Sequence, residues 1–219
     1  MRVITGTARG RKLREPSGHS IRPTSDMVKE ALFSIIQFDI EGRRVLDLFA
    51  GTGQLGIEAL SRGASHVTFV DEKTESVKLI SENLKICGMK RDRHSEDFGL
   101  RGAKADYYRE DFRTHGRSDD KHRENFRICR ENVLSFLESC GKYDLIFIDP
   151  PYEGKLAAAA LQKIIKFDIL SDGGIIICET DSEFTAPPAM HPYFPGREYR
   201  YGKVKLTVFG RYPEGMGPA

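Results

Sequence analysis

The sequence lacks long apolar runs, paired cysteine motifs and regularly spaced histidines. Each absence argues against one class of protein. No stretch approaches the ~20 apolar residues of a membrane helix, and residues 1–12 have no signal-peptide core, so we expect a cytoplasmic protein. The four cysteines show no C-x-x-C spacing, which favours free thiols and predicts no metal site. With 219 residues, 39% of them hydrophobic, the chain can form one domain with a sizeable core.

The charges are unevenly distributed along the chain. Residues 1–14 contain Arg2, Arg9, Arg11, Lys12 and Arg14 and no acidic residue. Because the whole chain has a net charge of +2, the remainder has a net charge of −3. A basic arm on a mildly acidic body is typical of a protein that contacts a polyanion. A solvated terminal segment is the alternative.

Apolar runs alternate with helical patterns through most of the chain. Strands are predicted at 44–50, 66–71, 126–132, 143–152 and 173–180, and helices at 54–64, 74–88, 133–141 and 155–167. This alternation predicts an α/β fold with a doubly wound parallel sheet. Two further strands, 197–202 and 204–212, have no helix between them and predict a C-terminal antiparallel hairpin.

Three other segments are predicted to lie outside this alternation. Residues 2–5 and 11–15 suggest a small β-hairpin, so we expect a basic N-terminal extension over 1–20 and the main domain over 21–212. Residues 91–125 contain nine basic and nine acidic residues in 35 positions, which predicts an insertion at one edge of the sheet. Residues 213–219 are expected to be a flexible tail.

A glycine motif follows the first predicted strand. Gly51, Gly53 and Gly56 form G-x-G-x-x-G, with Asp71 twenty residues after Gly51, as in dinucleotide sites. Asp47 argues against a dinucleotide, because a carboxylate at this turn would repel a pyrophosphate. S-adenosylmethionine carries a sulfonium and an ammonium group, which suit Asp47, and Asp71 can accept the ribose hydroxyls of either cofactor. A turn-capping role is the alternative for Asp47.

The sequence Asp149-Pro150-Pro151-Tyr152 ends the fourth predicted strand. Ligands of such sheets bind outside the carboxyl ends of the strands. The Asp149 side chain and the Pro150 carbonyl can accept the hydrogens of an aromatic exocyclic amine, and Tyr152 offers a flat face to a base. Together with Asp47 and the glycines, this predicts methyl transfer to such an amine.

The acceptor-only side chain of Asp149 favours guanine over adenine as the substrate base. Guanine presents two donors, N1–H and N2–H, side by side, and a carboxylate such as Asp149 can accept both. Adenine presents an acceptor beside a donor, which an amide matches better. A DNA adenine-N6 methyltransferase, a catalytically silent cofactor-binding or RNA-binding assembly factor and a dehydrogenase are the alternatives.

With these motifs, the sequence resembles the RsmD family of 16S rRNA guanine-N2 methyltransferases. The matching segments are 1–13, 21–36, 45–64, 144–152 and 199–209. The resemblance implies a Rossmann-like seven-stranded fold, the cofactor S-adenosylmethionine, and a guanine in 16S rRNA of the small ribosomal subunit or its assembly intermediate. We also expect a monomer, since one face must meet a large particle.

The resemblance also implies roles for individual residues. The cofactor contacts fall on Asp47, Phe49, Gly51, Gly53, Asp71 and Asn132. The residues that orient the substrate amine are Asp149, Pro150 and Tyr152. Contacts with the RNA fall on Arg9, Arg11, Lys12, Arg22 and Thr24.

Overall fold

The computed structural model describes residues 1–16, 26–89, 125–151, 155–188 and 191–212. Arg22, Thr24, Tyr152, residues 91–124 of the predicted insertion and the predicted tail lie outside these ranges. No helix within them is both long enough and apolar enough to cross a bilayer. The strands are β1 (Arg44–Leu48), β2 (His66–Asp71), β3 (Phe126–Arg130), β4 (Tyr143–Ile148), β5 (Leu170–Asp181), β6 (Tyr193–Tyr201) and β7 (Val204–Arg211). The helices are α1 (Asp26–Ile35), α2 (Gln54–Ser61), α3 (Thr74–Ile86), α4 (Val133–Phe136) and α5 (Lys155–Lys166).

The seven strands form one sheet in the order β3-β2-β1-β4-β5-β7-β6. The first five strands in this order pair in parallel, whereas β7 pairs antiparallel with both β5 and β6. The predicted doubly wound sheet with a C-terminal antiparallel hairpin is therefore confirmed. The strand order reverses between β1 and β4, and ligands of open α/β sheets bind at such a point.

Alternate side chains of the central strands enter two separate apolar layers. Val45 and Phe147 belong to the layer that contains α1, α2, α3 and the N-terminal residues. Leu46 and Ile148 belong to the opposite layer, with α4 and α5. Because β1 is covered on both faces, its core is apolar except for Asp47, which is itself buried. The charge of Asp47 therefore needs a partner inside the fold.

Several elements end earlier than their hydrophobic patterns predict. β1 ends at Leu48, not at residue 50, because Phe49 takes a left-handed backbone conformation with φ 59°. β3 ends at Arg130. α4 is a single turn, because the chain then tightens and the amide of Ser139 bonds to the carbonyl of Phe136, only three residues back.

The N-terminal arm, residues 1–15, contains an antiparallel pair that is shorter than predicted. A β-bridge joins Arg2 to Lys12. The amide of Val3 donates to the carbonyl of Arg11 at 3.0 Å, and the amide of Gly10 donates to the carbonyl of Val3 at 2.9 Å. The predicted hairpin is therefore present, but residues 2–5 and 11–15 do not form regular strands.

The arm has little regular pairing because its backbone bonds to side chains of α2. The amides of Ile4 and Thr5 donate to the two carboxylate oxygens of Glu58 at 2.7 and 2.9 Å. The hydroxyl of Ser61 donates to the carbonyl of Thr5 at 2.6 Å. At Gly6 the approach is so close that a Cβ atom would lie 1.7 Å from the carbonyl oxygen of Ser61. The arm is thus docked directly on α2.

A buried ion pair lies beneath the arm. The side chains of Lys29 in α1 and Glu58 in α2 are both fully buried, with the ammonium nitrogen 3.6 Å from a carboxylate oxygen. Lys29 also donates to the carbonyl of Arg2, and Arg62 donates to Glu58 at 2.9 Å. Burial lowers the pKa of Lys29, while Glu58 acts to raise it. Glu58 therefore compensates a buried positive charge and holds the arm at the same time.

Replacing Glu58 by Ala should lower the free energy of unfolding by about 3–5 kcal/mol, because the buried ammonium of Lys29 loses its countercharge. Urea denaturation at pH 7 measures the change. The double variant Glu58→Gln with Lys29→Met removes both charges and should recover most of this loss. As a control, Glu138→Ala breaks an exposed ion pair with Lys163 and should have no measurable effect. Equal effects of Glu58→Ala and Glu138→Ala would contradict the buried-pair account.

Candidate active site

Three acidic residues lie at the carboxyl ends of neighbouring strands. Asp47 is the next-to-last residue of β1, Asp71 is the last residue of β2, and Asp149 directly follows β4. Because β1 pairs with both β2 and β4, these residues lie side by side across the point where the strand order reverses. This edge of the sheet therefore carries concentrated negative charge.

The loop between β1 and α2, residues 49–53, which we call the glycine loop, has backbone conformations that few side chains adopt. Phe49, Gly51 and Gly53 have φ values of 59°, 53° and 75°. A methyl group on Gly53 would also approach Cγ1 of Ile80 to 3.1 Å. A left-handed residue that is not glycine, such as Phe49, is often found where a loop serves a ligand. The three loop residues predicted from the sequence thus form one tight turn at the N-terminus of α2.

Asp47 is buried under the first turn of α2. Its side-chain oxygen Oδ2 accepts a hydrogen bond from the amide of Gly56 at 2.9 Å. A Cβ atom on Gly56 would lie 2.3 Å from the ring of Phe69, so only glycine allows this approach of helix to strand. Burial raises the pKa of Asp47 well above its usual range, and the Gly56 amide opposes this shift. The neighbouring carboxylates of Asp149 and Asp71 raise the pKa further.

Asp71 ties the glycine loop to the end of β2. One carboxylate oxygen accepts from the amide of Gly51 at 2.9 Å, and the other accepts from the amide of Lys73 at 2.9 Å. A carboxylate oxygen can accept more than one hydrogen bond. The arrangement therefore fixes the direction of the Asp71 side chain and leaves it able to accept hydrogen bonds from hydroxyl groups.

Asp149 and Pro150 start the turn after β4, and both are half-buried. The strand below them is fixed in register, with Ile148 of β4 opposite Leu48 of β1. Proline has no amide hydrogen, so Pro150 contributes only a carbonyl acceptor to this turn. The two residues thus lie at the predicted edge of the sheet, while Tyr152 lies outside the described residues.

Asn132 follows β3 at the same edge and caps α4. Its Oδ1 atom accepts from the amides of Leu134 and Ser135 at 3.0 and 3.4 Å, and its Nδ2 atom donates to Glu72 at 3.1 Å. The resemblance implies a cofactor contact for Asn132, in which this carbonyl oxygen would accept a hydrogen bond from the adenine amine. Such a contact would have to share the oxygen with the helix cap.

The tip of the basic arm lies away from the glycine loop. Arg9, Arg11 and Lys12 are exposed. The amide of Arg9 bonds to the carbonyl of Gly6, which lies against Ser61 at the last residue of α2. Because α2 begins at the glycine loop and has eight residues, the tip of the arm is about 12 Å along the helix from that loop.

Three buried polar residues that connect the arm to the body were missed in the sequence analysis. They are Glu58, Ser61 and Asn83, each at most 2% exposed. Asn83 follows Ile80 by three residues and precedes Leu84, so it lies on the apolar face of α3. A polar side chain on an apolar helical face needs a hydrogen-bond partner within the fold. The position of Asn83 among apolar residues of the helix was therefore the sequence feature that could have identified it.

The described part of the site has no arrangement typical of a metal centre. Among the described residues, no group of three or more His, Cys, Asp or Glu side chains could hold a metal ion. All four cysteines have free thiols.

The sequence is similar to a known protein family over most of its length. Residues 1–111 and 118–210 match the family described as "Conserved hypothetical protein 95". The protein "Ribosomal RNA small subunit methyltransferase D" of Escherichia coli (strain K12) is 29% identical to this chain over 220 residues. The match covers 100% of this chain and 94% of the E. coli protein. The chain belongs to the RsmD family.

A second relative and a solved structure are also similar to this chain over nearly its whole length. "Putative rRNA methyltransferase YlbH" of Bacillus subtilis (strain 168) is 34% identical over 213 residues, which cover 95% of this chain and 98% of its own. The solved structure "Putative methyltransferase yhhF from Escherichia coli" superposes with a TM-score of 0.74 at 26% identity, covering 97% of this chain and 98% of that one. The RsmD-family fold therefore extends over nearly the whole chain.

In this RsmD-family protein, Asp47→Asn should preserve or raise the free energy of unfolding at pH 7. The amide oxygen still accepts from Gly56, while the cost of a buried charge disappears. Because the pKa of Asp47 is raised on folding, its contribution to stability is present below the unfolded-state pKa and is lost as pH rises through the folded-state pKa. The variant should lack this loss in urea denaturation between pH 4 and pH 8.

Asp47→Ala serves as the comparison, because it removes the acceptor as well as the charge. It should lose about 1–3 kcal/mol, since the buried amide of Gly56 is left unsatisfied. Equal destabilisation by the Asn and Ala variants at pH 7 would show that the charge of Asp47 holds the helix, contrary to this account.

Proposed function

We propose that this enzyme transfers a methyl group from S-adenosylmethionine to the exocyclic N2 amine of a guanine in 16S rRNA. The observation that carries the proposal is the position of Asp149 and Pro150 at the carboxyl end of β4, beside the buried Asp47 of β1. One pair of strands thus brings an acidic site suited to a cationic cofactor next to two acceptors suited to an amine.

The donors and acceptors at this edge fit S-adenosylmethionine. Its sulfonium and ammonium groups suit the negative field of Asp47 and its neighbours, whereas the pyrophosphate of a dinucleotide would meet repulsion there. Asp71 is the residue to accept the ribose hydroxyls, and Gly51 and Gly53 let the backbone approach the cofactor closely. Phe49 and Asn132 are the remaining expected contacts. When bound, the cofactor supplies a methyl group on a positively charged sulfur.

Asp149 and Pro150 solve the main chemical difficulty of the reaction. An exocyclic amine is a poor nucleophile, because its lone pair is delocalised into the ring. The Asp149 carboxylate and the Pro150 carbonyl accept hydrogen bonds from its two N–H groups. These bonds orient the amine and favour the pyramidal geometry needed for attack. Asp149 is also the acceptor for the proton that nitrogen loses once the new bond forms. Tyr152 stacks on the base in this proposal.

The choice of guanine rests on the acceptor-only character of a carboxylate. Guanine presents N1–H and N2–H together, and one ionised Asp149 can accept both hydrogen bonds. Asp149 also lies close enough to Asp47 to raise the pKa of that residue. A cationic ligand between the carboxylates would relieve their repulsion, so cofactor and base are expected to favour the same ionised state of the site.

The basic residues of the arm supply a second contact with the RNA. Arg9, Arg11 and Lys12 are exposed, and Arg9 lies at the end of α2 that is remote from the glycine loop. Phosphate contacts at such a distance position the substrate without reading its sequence. Arg22 and Thr24 complete the proposed RNA contacts. We propose that a monomer acts in the cytoplasm on the small ribosomal subunit or its assembly intermediate.

The proposal predicts N2-methylguanosine as the product on small subunits from cells that lack the endogenous activity. The subunits would be incubated with labelled S-adenosylmethionine, with DNA in parallel, and the products digested to nucleosides and identified by mass. Asp149→Asn should reduce turnover by roughly 10²–10³-fold, because its amide donors oppose those of guanine. Cofactor binding, measured by calorimetry, should survive this substitution.

Other products would lead to other conclusions. N6-methyladenine in DNA would keep the cofactor and overturn the base and the substrate. Full turnover in Asp149→Asn would remove Asp149 from the reaction. Cofactor binding with no product on rRNA or DNA would favour a catalytically silent assembly factor.

Neutralising Arg9, Arg11 and Lys12 to Gln should weaken rRNA binding and its dependence on salt. If each residue meets one phosphate, the slope of log K against log salt should fall in magnitude by roughly 2–3. The control replaces Arg197, Arg200 and Lys203, which are exposed on the C-terminal hairpin, with Gln. This control matches the change in net charge. Equal slopes for the two triple variants would show that the arm makes no specific phosphate contacts.

A further inference from the structure

Asn83 of α3 connects the N-terminal arm with the glycine loop. Its side chain is fully buried. Its Oδ1 atom accepts from the amide of Arg14 at 2.7 Å, and its Nδ2 atom donates to the carbonyl of Arg14 at 3.2 Å. The same Nδ2 atom donates to the carbonyl of Thr52 at 2.9 Å. One buried amide thus holds both backbone groups of an arm residue and the backbone of the loop.

A second contact joins the arm to the loop at the same place. The hydroxyl of Thr52 donates to the sulfur of Met1 at 3.6 Å. The terminal ammonium of Met1 pairs with Glu15 at 2.8 Å. Both ends of the arm therefore lie at Thr52, while its tip lies at the far end of α2.

Thr52 is also the centre of the segment proposed to meet the cofactor. It lies between Gly51 and Gly53, and the amide of Gly51 donates to Asp71. Two hydrogen bonds, linked by the backbone between Gly51 and Thr52, therefore connect Asp71 to Asn83, and Asn83 bonds on to the backbone of the arm. A ligand that fixes the loop changes the freedom of the groups bonded to Asn83.

We propose that Asn83 is a positioning residue that couples occupancy of the cofactor site to the order of the N-terminal arm. When the cofactor holds the glycine loop, Asn83 holds the base of the arm against α3, and the arm exchanges less with open conformations. Asparagine suits this role, because its side chain both donates and accepts. Alanine does neither, and aspartate would meet the carbonyls of Arg14 and Thr52 with acceptors only.

The coupling has a consequence for the substrate, which rests on the proposed RNA-binding function of the arm. If cofactor binding orders the arm, it tightens RNA binding by the same factor by which RNA tightens cofactor binding. We expect about a 5-fold effect, at the lower end of typical couplings. The enzyme would then bind its RNA best when loaded for transfer.

The chain offers a matched control at the other end of the arm. Ser61 accepts from the amide of Ala8 at 2.9 Å and donates to the carbonyl of Thr5. Like Asn83, it is a buried side chain that holds the backbone of the arm. The hydrogen bonds of its side chain, unlike those of Asn83, join the arm to α2 and not to the glycine loop. Ser61→Ala should therefore loosen the tip of the arm without uncoupling its base from the cofactor.

Backbone hydrogen exchange of the full chain, with and without saturating S-adenosylhomocysteine, tests the coupling without RNA. In the wild type and in Ser61→Ala, S-adenosylhomocysteine should slow hydrogen exchange over residues 1–15 by about 5-fold or more. In Asn83→Ala it should slow exchange in the glycine loop alone. Unchanged exchange of the arm in the wild type would overturn the proposal, whether or not the variant folds. Equal slowing in Asn83→Ala would overturn the role of Asn83.

RNA affinity, measured with and without S-adenosylhomocysteine, separates the two proposals. Tighter binding in the wild type and no change in Asn83→Ala would support both. Slower exchange in the arm without any RNA binding would support the coupling and contradict the RNA-binding role of the arm. RNA binding that is equally tight with and without the compound, despite an ordered arm, would overturn the effect of the coupling on the substrate.

Discussion

The site depends on one buried carboxylate at the junction of β1 and α2. Asp47 is 2% exposed, and the amide of Gly56 is its hydrogen-bond donor. This bond draws the start of α2 onto the sheet, which the ring of Phe69 permits only because residue 56 is glycine. The cost of burying the charge appears as a raised pKa. A pKa perturbed in this way is typical of functional sites, which agrees with the proposed binding of a positively charged cofactor here.

The arm is better described as part of one apolar layer than as an appendage. Val3 and Leu13 belong to the same buried cluster as the residues of α1, α2 and α3. The buried charges of Lys29 and Glu58 hold the arm from below, and Asn83 holds its base. Its basic side chains remain exposed while its backbone is fixed. A surface of this kind can bind phosphates without a large loss of backbone entropy.

Hydrophobic alternation was sufficient to predict the sheet and to place Asp47, Asp71 and Asp149 near the carboxyl ends of their strands. It could not predict that β1 ends at Leu48, because the left-handed backbone of Phe49 leaves no trace in hydropathy. The buried bonds of Asn83 were also missed, since its partners, Arg14 and Thr52, are distant in sequence. Local patterns carry periodicity, whereas these features depend on which segments meet in three dimensions.

Under the proposed function, the docked position of the arm constrains the kind of RNA substrate. Base contacts at Asp149 can specify a nucleotide, whereas phosphate contacts at Arg9, Arg11 and Lys12 can only position a backbone. The arm tip lies about one length of α2, roughly 12 Å, beyond the glycine loop. Because the arm is docked on α2, it cannot follow a flexible strand without losing its bonds to Glu58 and Ser61. A substrate of fixed shape, such as an assembled or assembling ribosomal subunit, meets both contacts at the least entropic cost.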